Sequence, residues 1–314
     1  MQKNNRSLSK SAAVLLVAIV AFLNASCSSK ISTNDNLIIP LAVASNSDNI
    51  EPLRIGVLPT QSLAEQQRMI KPLDKYLEKS LKTQVNFQVA SDYKQIVQWL
   101  VDGKIDMAYV TAVSYLEALE RGAEIEPLVA PINKYTGRPW YRAVIVVKVD
   151  SNIKTLHQLK SKRFAFVNKY STSGYLMPLT ALNKFGINPE REFKKVIYSG
   201  THAKALEALK NGDIDAAVSN IPYYLKQQKM GKLKPKEFRV IWESPPIPPS
   251  LIVVSKKMSA DDIKKLKTSF LNTPEGIEDI FGGQSAGYTS VEDADYIPIR
   301  KLRANLSLKS ERVR

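Results

Sequence analysis

The chain has 314 residues, with 45 lysines and arginines against 30 acidic residues and a formal charge of +15. Its single cysteine, Cys27, rules out an internal disulfide. So basic a protein suits nucleic acid, an anionic membrane surface or a small anion as partner, and a secretory leader without any nucleic-acid recognition motif argues against the first.

The leader comes first. Lys3, Arg6 and Lys10 precede the apolar run Ala12–Leu23, which is too short to span a membrane comfortably and has the form of a secretory signal over residues 1–26. Cys27 follows small residues, as in a bacterial lipoprotein cleavage site, although Asn24 stands where such signals usually carry Leu. Cys27 is therefore expected to carry a lipid anchor, with residues 27–51 as a polar tether interrupted by the apolar patch Leu37–Val43. Roughly 260 residues remain, enough for two lobes with real cores.

Strand and helix patterns then alternate. Ile55–Leu58, Phe87–Val89 and Ile105–Tyr109 read as buried strands, with a helix over Tyr93–Asp102 that stops near Gly103. The same order returns as Phe164–Val167, Val196–Tyr198, a helix over His202–Asn211 and Ile214–Val218. Arg54–Leu116 and Arg163–Leu225 align without a gap at an offset of 109 residues. The eleven identities include Arg54/Arg163, Ser62/Ser171, Gly103/Gly212 and Asp106/Asp215, too long a period for a solenoid and right for two similar α/β lobes. Strand–helix alternation implies parallel sheets that meet ligands at the strands' carboxyl ends. Two apolar runs, Ala143–Val149 and Leu251–Val254, each follow a proline-containing loop and are the expected crossings and hinges. The expected division is 52–142 plus 250–300 for lobe 1, 143–249 for lobe 2 and 301–314 as a C-terminal tail, with the ligand cleft between the lobes.

Within lobe 2, Ser171-Thr172-Ser173-Gly174 links a strand to a helix. Helix-start amides lack internal partners and carry partial positive charge, so this turn is a cradle for a small tetrahedral oxyanion. Gly174 is expected to clear space for the anion. Tyr93 and His202 are repeat-equivalent and each starts a helix, so they should face one cleft from opposite walls. His157 is expected at the surface, and the lysines of Lys226–Lys236 as a solvated face. The sequence holds no H-E-x-x-H, no G-x-S-x-G and no paired metal-ligand cluster, so no catalytic residue, metal or cofactor is expected. A hydrolase built on Ser171–Ser173 and His202 would lack a third member.

The segments Ser171–Pro178, Gly200-Thr201-His202, Ser91-Asp92-Tyr93, Asp106–Tyr109 and Asp295–Arg300 together resemble the substrate-binding proteins of ABC transporters for phosphonates and related phosphorus oxyanions. The resemblance runs from about Arg54 to Arg300. It implies a two-lobed periplasmic-binding-protein fold of type II and a monomeric receptor in the periplasm or on the outer face of the membrane, working with ABC permease subunits. Ser171, Thr172, Ser173, Tyr93, Tyr109 and His202 would hold the phosphorus-bound oxygens. A sensor for a signalling membrane protein is the alternative. Where relatives for aminoalkyl phosphonates place acids against the ligand's ammonium, this chain has Pro222 and Ser250. With Ile221 these would form a specificity wall that disfavours 2-aminoethylphosphonate, so that phosphate, phosphite or methylphosphonate is the expected ligand.

Overall fold

The computed structural model describes residues 51–134, 137–277, 280 and 285–311, with side chains to residue 306. The expected signal, Cys27 and all of the tether before Glu51 lie outside the described residues. From its start the chain runs β1 (Leu53–Val57), α1 (Leu63–Leu81), β2 (Val85–Val89), α2 (Tyr93–Val101), β3 (Met107–Val110), α3 (Ala112–Glu120) and β4 (Ile125–Asn133). It continues through β5 (Ala143–Lys148), β6 (Arg163–Phe166), α4 (Met177–Lys184), α5 (Pro189–Glu192), β7 (Lys195–Tyr198), α6 (His202–Asn211), β8 (Ala216–Asn220), α7 (Ile221–Lys229) and β9 (Phe238–Glu243). It closes with β10 (Leu251–Ser255), α8 (Ala260–Leu271), β11 (Ser285–Ser290) and α9 (Ile297–Glu311).

The strands form two sheets, β2-β1-β3-β10-β4-β11 and β7-β6-β8-β5-β9. In both, the first three strands are parallel and the fourth, β10 or β5, is antiparallel. The repeat reappears atom for atom. Arg54 Nη2 meets Asp106 Oδ1 at 2.6 Å, and Arg163 Nη2 meets Asp215 Oδ1 at 2.6 Å. In each pair the aspartate's Oδ2 also accepts the arginine's own backbone N–H, at 2.9 and 2.7 Å. Side-chain caps recur at the same offset: Ser62 and Ser171, Asp92 and Thr201, and Thr111 and Asn220 each accept the N–H three residues on.

Strand alternation sorts the apolar side chains into layers. Ala108, Val110, Val144, Val146, Leu251 and Val253 belong to a central core shared by both lobes. Met107, Tyr109, Ile252 and Val254 face an outer core with α1 and α8, and Ile145, Val147, Phe164 and Phe166 an outer core of the second sheet. The chain passes between the sheets through the stretches ahead of β5 and β10, which pair antiparallel at Tyr141 and Ile247 through N–H···O bonds of 3.2 and 2.8 Å.

The C-terminal end departs from expectation. Residues 301–311 are not a free tail but most of α9. Leu302 and Leu306 pack on the central core, and Arg303 grips Glu117 and Glu120 of α3 at 2.7 and 3.0 Å. Among the described residues no helix is long and apolar enough to cross a membrane.

Because each aspartate bonds a backbone amide as well as a guanidinium, its loss should leave a strand-start donor unmet. Asp106→Ala and Asp215→Ala should each lower stability by about 2 kcal/mol, read as a lower urea midpoint at unchanged m-value.

Candidate functional site

The parallel order β7-β6-β8 puts three loops side by side on one sheet edge. The loop after β6 carries Ser171–Ser173, the one after β7 leads to His202, and β8 runs into Ile221 and Pro222. Ser171, Thr172 and Ser173 are buried. The helix there begins with a wide turn, Thr172–Leu176, in which the Leu176 N–H reaches back five residues to the Ser171 carbonyl at 3.1 Å. Such wide turns are rare and often mark functional sites. Ser171 Oγ accepts the Gly174 N–H at 3.0 Å, which leaves its hydroxyl hydrogen free to donate. Thr172 Oγ1 accepts the Val113 N–H of α3 at 3.1 Å. Among the described residues the amides of Thr172 and Ser173 meet no acceptor.

Gly174 has a different role from the one expected. A Cβ built on it would lie 2.5 Å from Val167 Cβ and 2.7 Å from Ser171 Oγ, so glycine lets the turn lie flat on the end of β6. It is a packing requirement and not clearance for an anion.

Lobe 1 brings Tyr93 to this turn. The first residue of α2, it is fully buried, and its phenol lies beside the Ser171 side chain without a hydrogen bond of ordinary geometry. Burial raises its pKa well above the usual tyrosine value. His202, the first residue of α6, is buried beside the Tyr223 ring at 6.3 Å, and its Nδ1 has no partner. Burial pushes the imidazole down to about 4, so it is neutral at physiological pH.

Tyr109 is not brought to the turn. It lies inside β3 on the outer face, with its ring 6.4 Å from Phe270 and its hydroxyl 3.5 Å from that of Tyr288. Strand alternation sends it into the core under α8, on the face of the sheet opposite the central core. The phenol that faces the hydroxyl turn is Tyr141, on the crossing segment. Burial raises its pKa, opposed by the neighbouring hydroxyls of Ser173, Ser250 and Thr172. Ser250 therefore faces the same space, and the Ile221 N–H donates to the Arg142 carbonyl next to Tyr141 at 3.0 Å. His157 is exposed, edge-on to Phe185.

Burial acts on Tyr93, Tyr141 and His202, hydroxyls act on the two tyrosines and Tyr141 on Tyr93, and no carboxylate or ammonium among the described residues shifts them. The arrangement is a buried set of neutral donors, competent to surround an oxyanion and poor at compensating a ligand cation. No group of three or more His, Cys, Asp or Glu among the described residues could hold a metal ion.

Residues 55–296 match the model of a protein family described as the periplasmic substrate-binding protein of phosphonate ABC transporters. The chain is 30% identical over 270 residues to the phosphate-import protein PhnD of Mycolicibacterium smegmatis, covering 80% of this chain and 84% of that one. It is 31% identical over 274 residues to the phosphonates-binding periplasmic protein of Escherichia coli, covering 83% and 79%. Its fold matches PhnD1 of Prochlorococcus marinus, solved in complex with methylphosphonate, at a TM-score of 0.74 with 22% identity over 82% of this chain and 99% of that one.

Two outcomes follow from the geometry. Gly174→Ala should cost about 2 kcal/mol in denaturant unfolding, since the new methyl must displace Val167 or the Ser171 cap. His202 titrates near 4 when folded against about 6.5 when unfolded. As pH falls the unfolded chain takes up this proton first, so the imidazole's contribution is complete above 6.5 and is lost between 6.5 and 4. The stability excess of the native protein over His202→Gln should therefore shrink by about 3 kcal/mol from pH 7 to pH 4, measured by urea unfolding across that range.

Proposed function

We propose that this chain, which belongs to the family of periplasmic substrate-binding proteins of ABC phosphonate transporters, captures a compact phosphorus oxyanion by closing its two lobes and delivers it to a permease. The observation that carries this reading is the wide turn at Ser171–Ser173. Its first amides and hydroxyls retain donor capacity in a buried setting, with the phenols of Tyr93 and Tyr141 beside it. The phosphorus-bound oxygens take hydrogen bonds from Ser171, Thr172 and Ser173, from the two tyrosines and from neutral His202. Bonds to a charged acceptor are about twice as strong as neutral ones, and a ring of them supports micromolar or tighter binding, about −8 kcal/mol.

Cargo size follows from the wall. Ile221, Pro222 and Ser250 offer no anionic partner for a ligand ammonium. Glu65, which acts on Tyr223, is already paired with Lys226 at 2.9 Å. Phosphate, phosphite and methylphosphonate fit this chemistry, and 2-aminoethylphosphonate would bury its ammonium unpaired. The names of the curated relatives, phosphate import in one and phosphonates binding in the other, span the same class. The reading includes an extracytoplasmic location with Cys27 as lipid anchor, and a receptor in place of a hydrolase, because the site's groups are neutral hydrogen-bond donors.

Calorimetric titration of protein stripped of carried-over ligand by unfolding and refolding tests this. At least one of phosphate, phosphite and methylphosphonate should bind at micromolar Kd, with 2-aminoethylphosphonate at least a hundredfold weaker. Ser171→Ala and Tyr141→Phe should each weaken the bound anion by about tenfold. Failure of all three compact anions, or tight binding of 2-aminoethylphosphonate, would contradict the proposal.

A further inference from the structure

Lys226 departs from the solvated face expected of its neighbours. Its side chain is 13% exposed and its Nζ lies 2.9 Å from Oε1 of Glu65, itself 17% exposed. The other lysines placed in ion pairs among the described residues keep half or more of their side chains exposed. Gln61 Oε1 at 3.3 Å and Met69 Sδ at 3.8 Å complete the surroundings of the ammonium. Lys226 belongs to α7 in lobe 2, while Gln61, Glu65 and Met69 belong to α1 and the loop before it in lobe 1. A partly dehydrated ion pair therefore bridges the lobes, with a side-chain amide supplying a further acceptor.

The repeat gives this bridge a counterpart. On the other side, α3 of lobe 1 reaches the loop after β6: Thr111 Oγ1 and Ser114 Oγ donate to the Tyr170 carbonyl at 2.8 and 3.1 Å, and the Val113 N–H donates to Thr172 Oγ1. At the offset of 109 residues α3 corresponds to α7, and Tyr170, Ser171 and Gly174 correspond to Gln61, Ser62 and Glu65. In both places the helix after one lobe's third strand grips the loop after the other lobe's first strand. One grip is made of neutral hydrogen bonds and contains the oxyanion turn. The other is made of an ion pair and contains none.

We infer that Lys226 and Glu65 are positioning residues for ligand capture, forming a second clasp whose ion pair holds the lobes shut on the opposite side of the cleft from the Thr172 clasp. The clasp itself rests on the contacts above, and its role in capture rests on the proposed function. Loss of either partner loosens closure by about tenfold, between the effects typical of exposed and of buried pairs.

Amide hydrogen exchange on the full chain without added anion tests the clasp, because the Val113 N–H is bonded only across the lobes. Lys226→Met and Glu65→Gln should each speed exchange in the peptide containing Val113 by about tenfold, while the β10 peptide at Ile252–Val254 is unchanged. The reversed pair, Lys226→Glu with Glu65→Lys, should recover most of the protection, which a lysine acting through bulk alone would not produce. Whichever of phosphate, phosphite and methylphosphonate binds the native protein should dissociate faster from both single variants. Unchanged Val113 exchange in the single variants, or no recovery in the reversed pair, would overturn the clasp. If the native protein bound none of the three anions, the proposed function would fall while the exchange result still judged the clasp.

Discussion

Each lobe is organised by one arginine–aspartate pair that fixes the first and third parallel strands in register at their amino ends. Arg54 with Asp106 and Arg163 with Asp215 combine a guanidinium–carboxylate contact with a backbone hydrogen bond to the same carboxylate. In the second pair the guanidinium also holds the Asp215 carboxyl below the usual carboxylate range. With the amino ends fixed, the carboxyl ends emerge at set heights, and the helices that follow start there. Thr201 and Asp92 then cap α6 and α2 so that His202 and Tyr93 are the first residues inside. The site is thus a consequence of strand register, repeated once per lobe.

The two lobes use the same edge for different work. In lobe 2 the loop after the first strand folds into a wide turn flattened on Val167, which Gly174 alone permits. In lobe 1 the equivalent loop leads into the long helix α1 and presents Gln61 and Glu65 to a lysine from the other lobe. On the proposed reading, neutral donors at the turn and the Lys226–Glu65 ion pair between the lobes serve two tasks. Charge inside would bind anions with less regard for shape, whereas a charge pair between the lobes would favour closure without touching the cargo.

Much of this was legible in the sequence because it depends on local rules. Apolar strand runs, glycine stops at Gly103 and Gly212, and the gapless repeat locate the strands, the helices and the hydroxyl turn. What is not legible depends on which face a strand presents. Tyr109 aligns with Val218 in the repeat, and both point into outer cores, so the repeat itself carries a signal that Tyr109 faces away from the turn. Tyr141 lies outside the repeated span, on a crossing segment, and only tertiary pairing with Ile247 brings it to the turn. Lys226 reads as one of a run of lysines until the lobes are seen together, and α9 looks like a tail until Leu302 and Leu306 find their core.

On the proposed function a phosphorus oxyanion sits on the Ser171–Ser173 turn between Tyr93, Tyr141 and His202. Phosphorus NMR with equimolar phosphite, and separately methylphosphonate and phosphate, addresses it from the cargo's side. For at least one of the three, a distinct bound resonance should saturate at one anion per chain and shift or broaden in Ser171→Ala. Only free resonances for all three with the native protein, or a bound resonance indifferent to Ser171, would contradict it.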